Sequence, residues 1–339
     1  MKIDPRALGK PTISDIARLA GVSTATVSRA LAHPDRVQIA TRERVMAAVQ
    51  QTGYTVNSVA RNLRTQRTNA ILVLTPNLAN PFFSLILSAI TKVAATNGFG
   101  VLIADTAPQG DRDAEVMRLS GDGRADGIIL LDSAQDPLSI TRTGLPMVLA
   151  CEWIEGSTLP KVAIDNIAGA KLAVEHLASL GHTKIAHVTG PAGNVLSKTR
   201  AQGWAEALRT LGLTPGHCYT GDFTMKSGVE AAKTWIDTPQ AQRPTAVFCA
   251  SDECALGFIG EIHRASLRVP TDVSVVGFDD IEIAGHFIPA LTTIHQPRQR
   301  LGARAAEMVI RMIRGQSPDP GDATPLPVNL VKRDSTAQL

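Results

Sequence analysis

A chain of 339 residues, 44% hydrophobic and 19% charged, is too long for one ordinary core and predicts two or three folded domains rather than a fibrous or disordered protein. The net charge of +3 hides an asymmetry: residues 1–68 carry eleven Lys/Arg against four Asp/Glu, a net +7 that leaves −4 for the remainder. That division fits a basic, polyanion-binding head on a mildly acidic body. Cys151, Cys218, Cys249 and Cys254 show neither CxxC pairing nor metal-ligand spacing and read as buried thiols in a reducing compartment. The opening MKIDPRALGKP lacks the apolar core of a signal peptide, and no apolar run of about eighteen residues exists, so the expectation is a cytoplasmic protein that spans no membrane.

Thr12 to Leu31, TISDIARLAGVSTATVSRAL, predicts two short helices joined by a tight turn. Ile13, Ile16, Ala17, Leu19 and Ala20 recur at helical spacing, Thr12 is suited to cap with Asp15 three residues on, and Gly21 ends the first helix in the left-handed conformation. Ser23 caps the second helix, whose Val27 and Leu31 turn inward and leave Thr24, Ala25, Ser28 and Arg29 outward. A compact cationic helix with small residues at its N-terminus meets the steric requirement for entering a major groove. An ordinary helical hairpin is the alternative on spacing alone. A third helix is expected from Ile39 to Thr52, stopped by Gly53, with Val45, Ala48 and Val49 packing on the first two. Gln38 is a poor cap for it. Thr12, Ser23, Thr26 and Tyr54 are suited to phosphate contacts, which position without specifying.

Gly21 to Leu31, Ala40-Thr41-Arg42-Glu43-Arg44-Val45 and Gly53-Tyr54 together resemble the DNA-reading head of the LacI/GalR family, and the resemblance extends over nearly the whole chain. It implies a DNA-contacting set of Thr12, Ser23, Thr24, Ala25, Thr26, Ser28, Arg29, Arg36 and Tyr54 within a helix-turn-helix domain spanning 1–55, with Thr24, Ala25 and Arg29 reading bases. Asn57 can cap a two-turn helix bearing Val59, Ala60 and Leu63 on one side, too short to hold itself in water. By the same resemblance, 56–68 is a hinge helix that folds on DNA and pairs with its twin. Asn57, Ala60, Leu63 and Arg64 then contact DNA, and Leu63 wedges into the minor groove. Packing of Leu63 on the body fits the residues equally well.

From Asn69 the pattern changes. Ala70–Leu74, Gly100–Ala104, Gly127–Leu131 and Pro146–Ala150 are continuous apolar runs separated by helical stretches such as 81–97, the signature of a parallel sheet buried on both faces. A second series begins near Val162 and includes Lys184–Thr189, Ala246–Ala250 and Val273–Phe278. Two βα series predict an α/β body of two lobes with a cleft beyond the strand ends. The resemblance implies a periplasmic-binding-protein-like body over 69–339 with crossings near 162, 293 and 323. Lobe 1 would comprise about 69–162 and 294–322, and lobe 2 about 163–293 and 323–339. The Pro-rich tail lacks a leucine heptad, which favours a homodimer over a tetramer.

The loops after these strands carry several of the few aromatic residues beside carboxylates and a guanidinium, a combination suited to stacking and bidentate bonding of a sugar or nucleobase. The effector candidates are Phe82, Phe83, Trp153, Arg200, Phe223, Ser251, Asp252 and Asp279. Packing under a loop is the competing account of any single Phe. Arg200, within Thr199-Arg200-Ala201-Gln202-Gly203-Trp204, and Asp279, within Gly277-Phe278-Asp279-Asp280, match the family's effector-gripping arginine and acid, while Phe83 and Phe223 match stacking positions. Pro244–Cys249, Leu291–Ile294 and Gln296-Pro297 are similar to the cytidine-responsive branch. The chain departs from other branches at Val195 or Leu196, where purine-responsive members carry arginine, and at Cys151, where some carry a carboxylate.

No GxSxG, HExxH, GxxxxGKS/T or GxGxxG occurs, and His176, His182 and His187 lie at no metal spacing. The expectation is therefore a transcriptional repressor without metal or cofactor, partnered by double-stranded operator DNA, a nucleoside or sugar effector and a second copy of itself. A solute-binding protein and a cleft enzyme are the rival readings.

Overall fold

The computed structural model describes residues 11–54, 67–106, 118, 123–132, 143–319, 321 and 324–339. Chain contacts divide it into a unit ending at Thr68 and a unit spanning Asn69–Leu339. In the first unit, α1 (Ile13–Ala20), α2 (Thr24–Ala32) and α3 (Ile39–Thr52) bury Ile16, Ala17, Ala20, Val27, Ala30, Val45 and Ala48 in a small shared core. The Thr12 side chain accepts from the Asp15 N–H while the Asp15 carboxylate accepts from the Thr12 N–H, and Gly21 closes α1 at φ 62°. Ser23 caps α2 through the Thr26 N–H. Gln38 offers α3 no side-chain bond. Leu19, expected inside, is 52% exposed. Successive helical residues turn by roughly 100°, which carries Leu19 off the stripe that Ile16 and Ala20 share. The expected hinge helix, with Asn57, Ala60, Leu63 and Arg64, lies outside the described residues.

In the second unit, β1 (Ala70–Thr75), β2 (Gly100–Asp105), β3 (Gly127–Leu130), β4 (Met147–Ala150) and β5 (Lys161–Val162) form a sheet ordered β2-β1-β3-β4-β5. Every pair in it is parallel. Ile71, Val73, Ile129 and Val148 face one core, and their neighbours Leu72, Leu74, Ile128 and Leu149 face another, which is why these runs lack polar alternation. The edge strand β2 departs from that expectation, with Leu102 and Ile103 each 43% exposed. Helices α4 (Ser84–Thr96) and α9 (Arg298–Ile313) cover one face and approach so closely that a Cβ on Gly302 would meet the Ile86 carbonyl at 2.3 Å.

The second sheet, ordered β11-β10-β9-β8-β6-β7, is built from β6 (Ile185–Val188), β7 (Cys218–Tyr219), β8 (Ala246–Cys249), β9 (Ser274–Asp279), β10 (Thr292–His295) and β11 (Asn329–Val331). Helices α5 (Asn166–Ser179), α6 (Val195–Thr210), α7 (Met225–Asp237) and α8 (Asp252–Arg264) accompany it. The β10·β11 pair is antiparallel, an addition to the expected parallel order. His295 still pairs with Asp279, so the chain leaves this sheet after His295, later than the expected crossing near 293. Ser335 bonds into Val275 and Thr292, so the C-terminal segment laces β9 to β10. Of the thiols expected buried, Cys218 is exposed because β7 is an edge strand. Among the described residues no helix is long and apolar enough to cross a membrane.

Candidate nucleic-acid interface and ligand cleft

On the head, α2 turns Thr24, Ala25 and Arg29 outward, while Ser28 and Thr26 are partly covered by the helix-packing side. Small residues precede the arginine along this face, so a groove wall meets no bulky obstacle before Arg29. The hydroxyls of Thr12 and Ser23 are engaged in capping, Thr12 donating to Asp15 and Ser23 lying 2.9 Å from the Thr26 hydroxyl. Arg36 is exposed on the turn after α2, and Tyr54 is half-buried against the head's core.

In the body, the strand ends of both sheets surround an inner pocket of about 60 Å³ that continues into an outer chamber of about 510 Å³. The combined space falls in the range of small-molecule sites. Phe82, Phe83, Arg200, Phe223, Ser251 and Asp279 line it, bringing six of the eight expected residues together. Trp153 and Asp252 do not. Trp153 folds onto the core of the first sheet beneath Lys161, whose Nζ lies 5.0 Å from the ring centroid. Asp252 points inward, where its carboxylate accepts from the Thr293 hydroxyl and the Ile281 N–H, and burial pushes its pKa up to about 6. Its place in the first turn of α8, just inside the Ser251 cap, turns it away from the cleft.

Arg200 sits in the second turn of α6, capped by Asn194, and is 3% exposed. Nε donates to Asn166 at 2.9 Å, Nη1 donates to the Ala250 carbonyl, and the guanidinium carbon lies 3.8 Å from the Phe278 ring centroid. Asp279 stands 3.8 Å from Nη1 and accepts from the Gln296 amide at 2.6 Å. Burial pushes this carboxyl up to about 8, with Arg200 opposing, and lowers the Arg200 pKa as well. Arg200 and Asp279 thus form a buried polar floor under a wall of phenylalanine. Three lining residues other than glycine have positive φ: Cys151 at 68°, Phe223 at 71° and Asp279 at 132°. Backbone strain of this kind collects at ligand sites. Gly190 admits the Phe223 ring, since a Cβ there would fall 2.2 Å from it. Ser251 donates to the Phe223 carbonyl at 2.8 Å, fixing the loop that carries the ring.

Asn80, Asn194 and Glu253 line the space as well. Their signal is that each lies at or beside a helix cap facing a strand end. Cys151 lines the inner pocket with its thiol pKa raised by burial. Among the described residues no group of His, Cys, Asp and Glu is arranged to hold a metal ion.

A profile of the bacterial regulatory proteins of the lacI family matches residues 12–57, and one of periplasmic binding protein-like domains matches 174–336. The chain is 39% identical over 333 residues to the HTH-type transcriptional repressor CytR of Escherichia coli K12, across 97% of both proteins. It belongs to the lacI family. Another lacI-type relative, the HTH-type transcriptional repressor PurR of Aliivibrio fischeri MJ11, is 36% identical over 310 residues, covering 89% of this chain and 92% of that protein. The lac repressor dimer bound to operator and the anti-inducer ONPF matches with a TM-score of 0.86 at 31% identity, covering 97% of this chain and 100% of that one. The transcriptional regulator CelR in complex with cellobiose matches at 0.72 and 31% identity, over 96% and 99%. These relatives are transcription regulators, not enzymes, and the lacI-family head and two-lobed α/β body are shared over 97% of this chain.

Proposed function

We propose that this chain is a repressor that grips a pseudopalindromic operator as a homodimer and is gated by a nucleoside or sugar in the cleft between its lobes. What supports the ligand half is the floor of Arg200 and Asp279 beneath Phe82, Phe83 and Phe223, which offers donors, acceptors and flat apolar walls to a polar ring. The similarity of Pro244–Cys249 and Gln296-Pro297 to the cytidine-responsive branch favours the nucleoside. On the DNA half, two heads bearing Thr24, Ala25 and Arg29 read the half-sites, and Leu63 of each hinge opens the centre. The molecule then resides on the nucleoid. A ligand shifts DNA occupancy only as far as it prefers one lobe arrangement over the other.

Selection of full-length protein on random duplexes tests both halves. A two-fold symmetric site is expected, with an affinity that changes when a nucleoside or sugar is added. A site without symmetry, or an affinity unmoved by the whole ligand panel, overturns the reading. A solute-binding protein or a cleft enzyme would bind the ligand and select no DNA.

A further inference from the structure

Five carboxylates among the described residues line the cleft, Asp132, Glu152, Asp222, Glu253 and Asp279, against one cation, Arg200. Four of the acids are engaged. Asp279 accepts from Gln296, Asp222 from the Thr224 N–H and hydroxyl, and Asp132 from the Thr106 hydroxyl, while Glu152 has a contact of its own. Glu253 has no hydrogen-bond or ion-pair partner among the described residues, although it is half-buried and lines both the inner pocket and the outer chamber. Burial raises its pKa with no bond offsetting the effect. A half-buried carboxylate without a donor is costly, and on the wall of a cavity it is an acceptor kept open for whatever fills the cavity.

The same wall serves phosphate poorly. Arg200 is buried and already engaged with Asn166, the Ala250 carbonyl and Asp279. Helix N-termini attract phosphate through free N–H groups. Among the described residues, those opening on this cleft carry side-chain caps instead: Asn80, Asn194, Thr224 and Ser251.

We propose that Glu253 determines ligand specificity: its carboxylate accepts a hydrogen bond from a hydroxyl or amino group of the ligand, and its charge bars the phosphorylated form of that ligand. This rests on the cleft being the effector site. The test is calorimetric titration of the full-length protein with cytidine, adenosine, ribose and glucose, and with the monophosphate ester of each. Wild type is expected to bind at least one parent compound and to bind its ester roughly a hundredfold more weakly. E253Q weakens the parent about tenfold, the loss of a charge-assisted bond, and narrows the gap to the ester by a similar factor. E253D keeps the charge and the discrimination. The ratio of the two affinities is the decisive readout, because a merely structural loss lowers both together. A wild type that takes the ester as well as the parent, or an E253Q ratio equal to that of wild type, overturns the role of Glu253 and leaves the effector cleft standing. Failure of wild type to bind any of the eight compounds overturns the cleft reading and this one with it.

Discussion

Arg200 concentrates the energetics of the cleft in one side chain. Removing one partner of a buried charge pair usually costs about 3–5 kcal/mol, because the other charge is stranded. Asp279 escapes part of that penalty, since burial pushes its pKa upward and Arg200 is the largest influence opposing that, so the carboxyl can take up a proton once Arg200 is gone. Arg200→Ala is therefore expected to cost about 2–3 kcal/mol in urea unfolding, mainly from donors lost at Asn166 and Ala250, while ligand heats vanish. His187 sets a second limit. Its ring is stacked on Phe248 at 4.8 Å and on Trp204 at 5.7 Å, and burial pushes its pKa down to about 4. Below about pH 6.5 the unfolded chain binds a proton that the folded chain refuses. Stability is thus fully present above 6.5 and falls toward pH 4, by about 3 kcal/mol from this group alone. His187→Phe should remove that part of the acid limb, leaving the smaller parts from His176 and His182, and a limb of undiminished slope would contradict the assignment. On the head, Arg29→Ala should lose about 1–3 kcal/mol of discrimination at one base pair per half-site, measured across a set of mutated operators.

Between elements, α7 and α8 pack backbone against backbone. A Cβ on Gly228 would meet the Cys254 carbonyl oxygen at 1.9 Å, and one on Gly257 would meet the Met225 carbonyl oxygen at 2.0 Å. Each helix has a glycine where the other's backbone lies, so neither contact can relax by a side-chain rotation. Gly228→Ala should destabilise by about 3 kcal/mol or more, visible as a lowered urea midpoint. Elements announced themselves in the sequence where burial is continuous. Ile71 to Leu74 and Val247 to Cys249 read as strands because both faces are covered, and Gly21 and Gly53 marked helix ends because only a left-handed residue fits there. β7 was missed because two residues carry no period. β11 was missed because Asn329–Val331 is only partly buried at an edge, where pairing rather than composition defines it. In the cleft, Arg200, Phe223 and Asp279 were legible through strand-end position and family pattern. Asp252 was misplaced because adjacency to Ser251 in sequence says nothing of which way the first helical turn points. Glu253, one residue further, is the one that turns to the cavity.

At the scale of the molecule, the charge division separates two kinds of binding by their response to salt. The head's excess of seven positive charges, doubled in a dimer, is expected to release counterions from DNA. A contact with 6–10 phosphates loses about 10³–10⁵ in affinity between 50 and 200 mM salt. Ligand affinity in the buried cleft should hardly change over that interval, so one titration series in salt distinguishes the two sites. A flat DNA affinity would contradict the role assigned to the head. Leu63→Ala should abolish bending in a phasing gel assay and leave ligand heats unchanged, which separates hinge from cleft.

The ring contacts of the second lobe run from Trp204 through His187 and Phe248, which are stacked, to the tilted ring of Phe278, where the Arg200 guanidinium rests. Trp204 is 6% exposed and its indole donates to the Ile185 carbonyl, so solvent contributes little to its emission. An imidazolium quenches an indole that it touches, whereas a neutral imidazole does so weakly. The fluorescence of Trp204 therefore reports the proton on His187 from inside the fold, without a label. Trp235, packed edge-on to Phe258 under Arg243, supplies a second emitter with no histidine in its ring contacts among the described residues. Acid titration of the intrinsic fluorescence would then separate protonation of one buried ring from the unfolding it brings on.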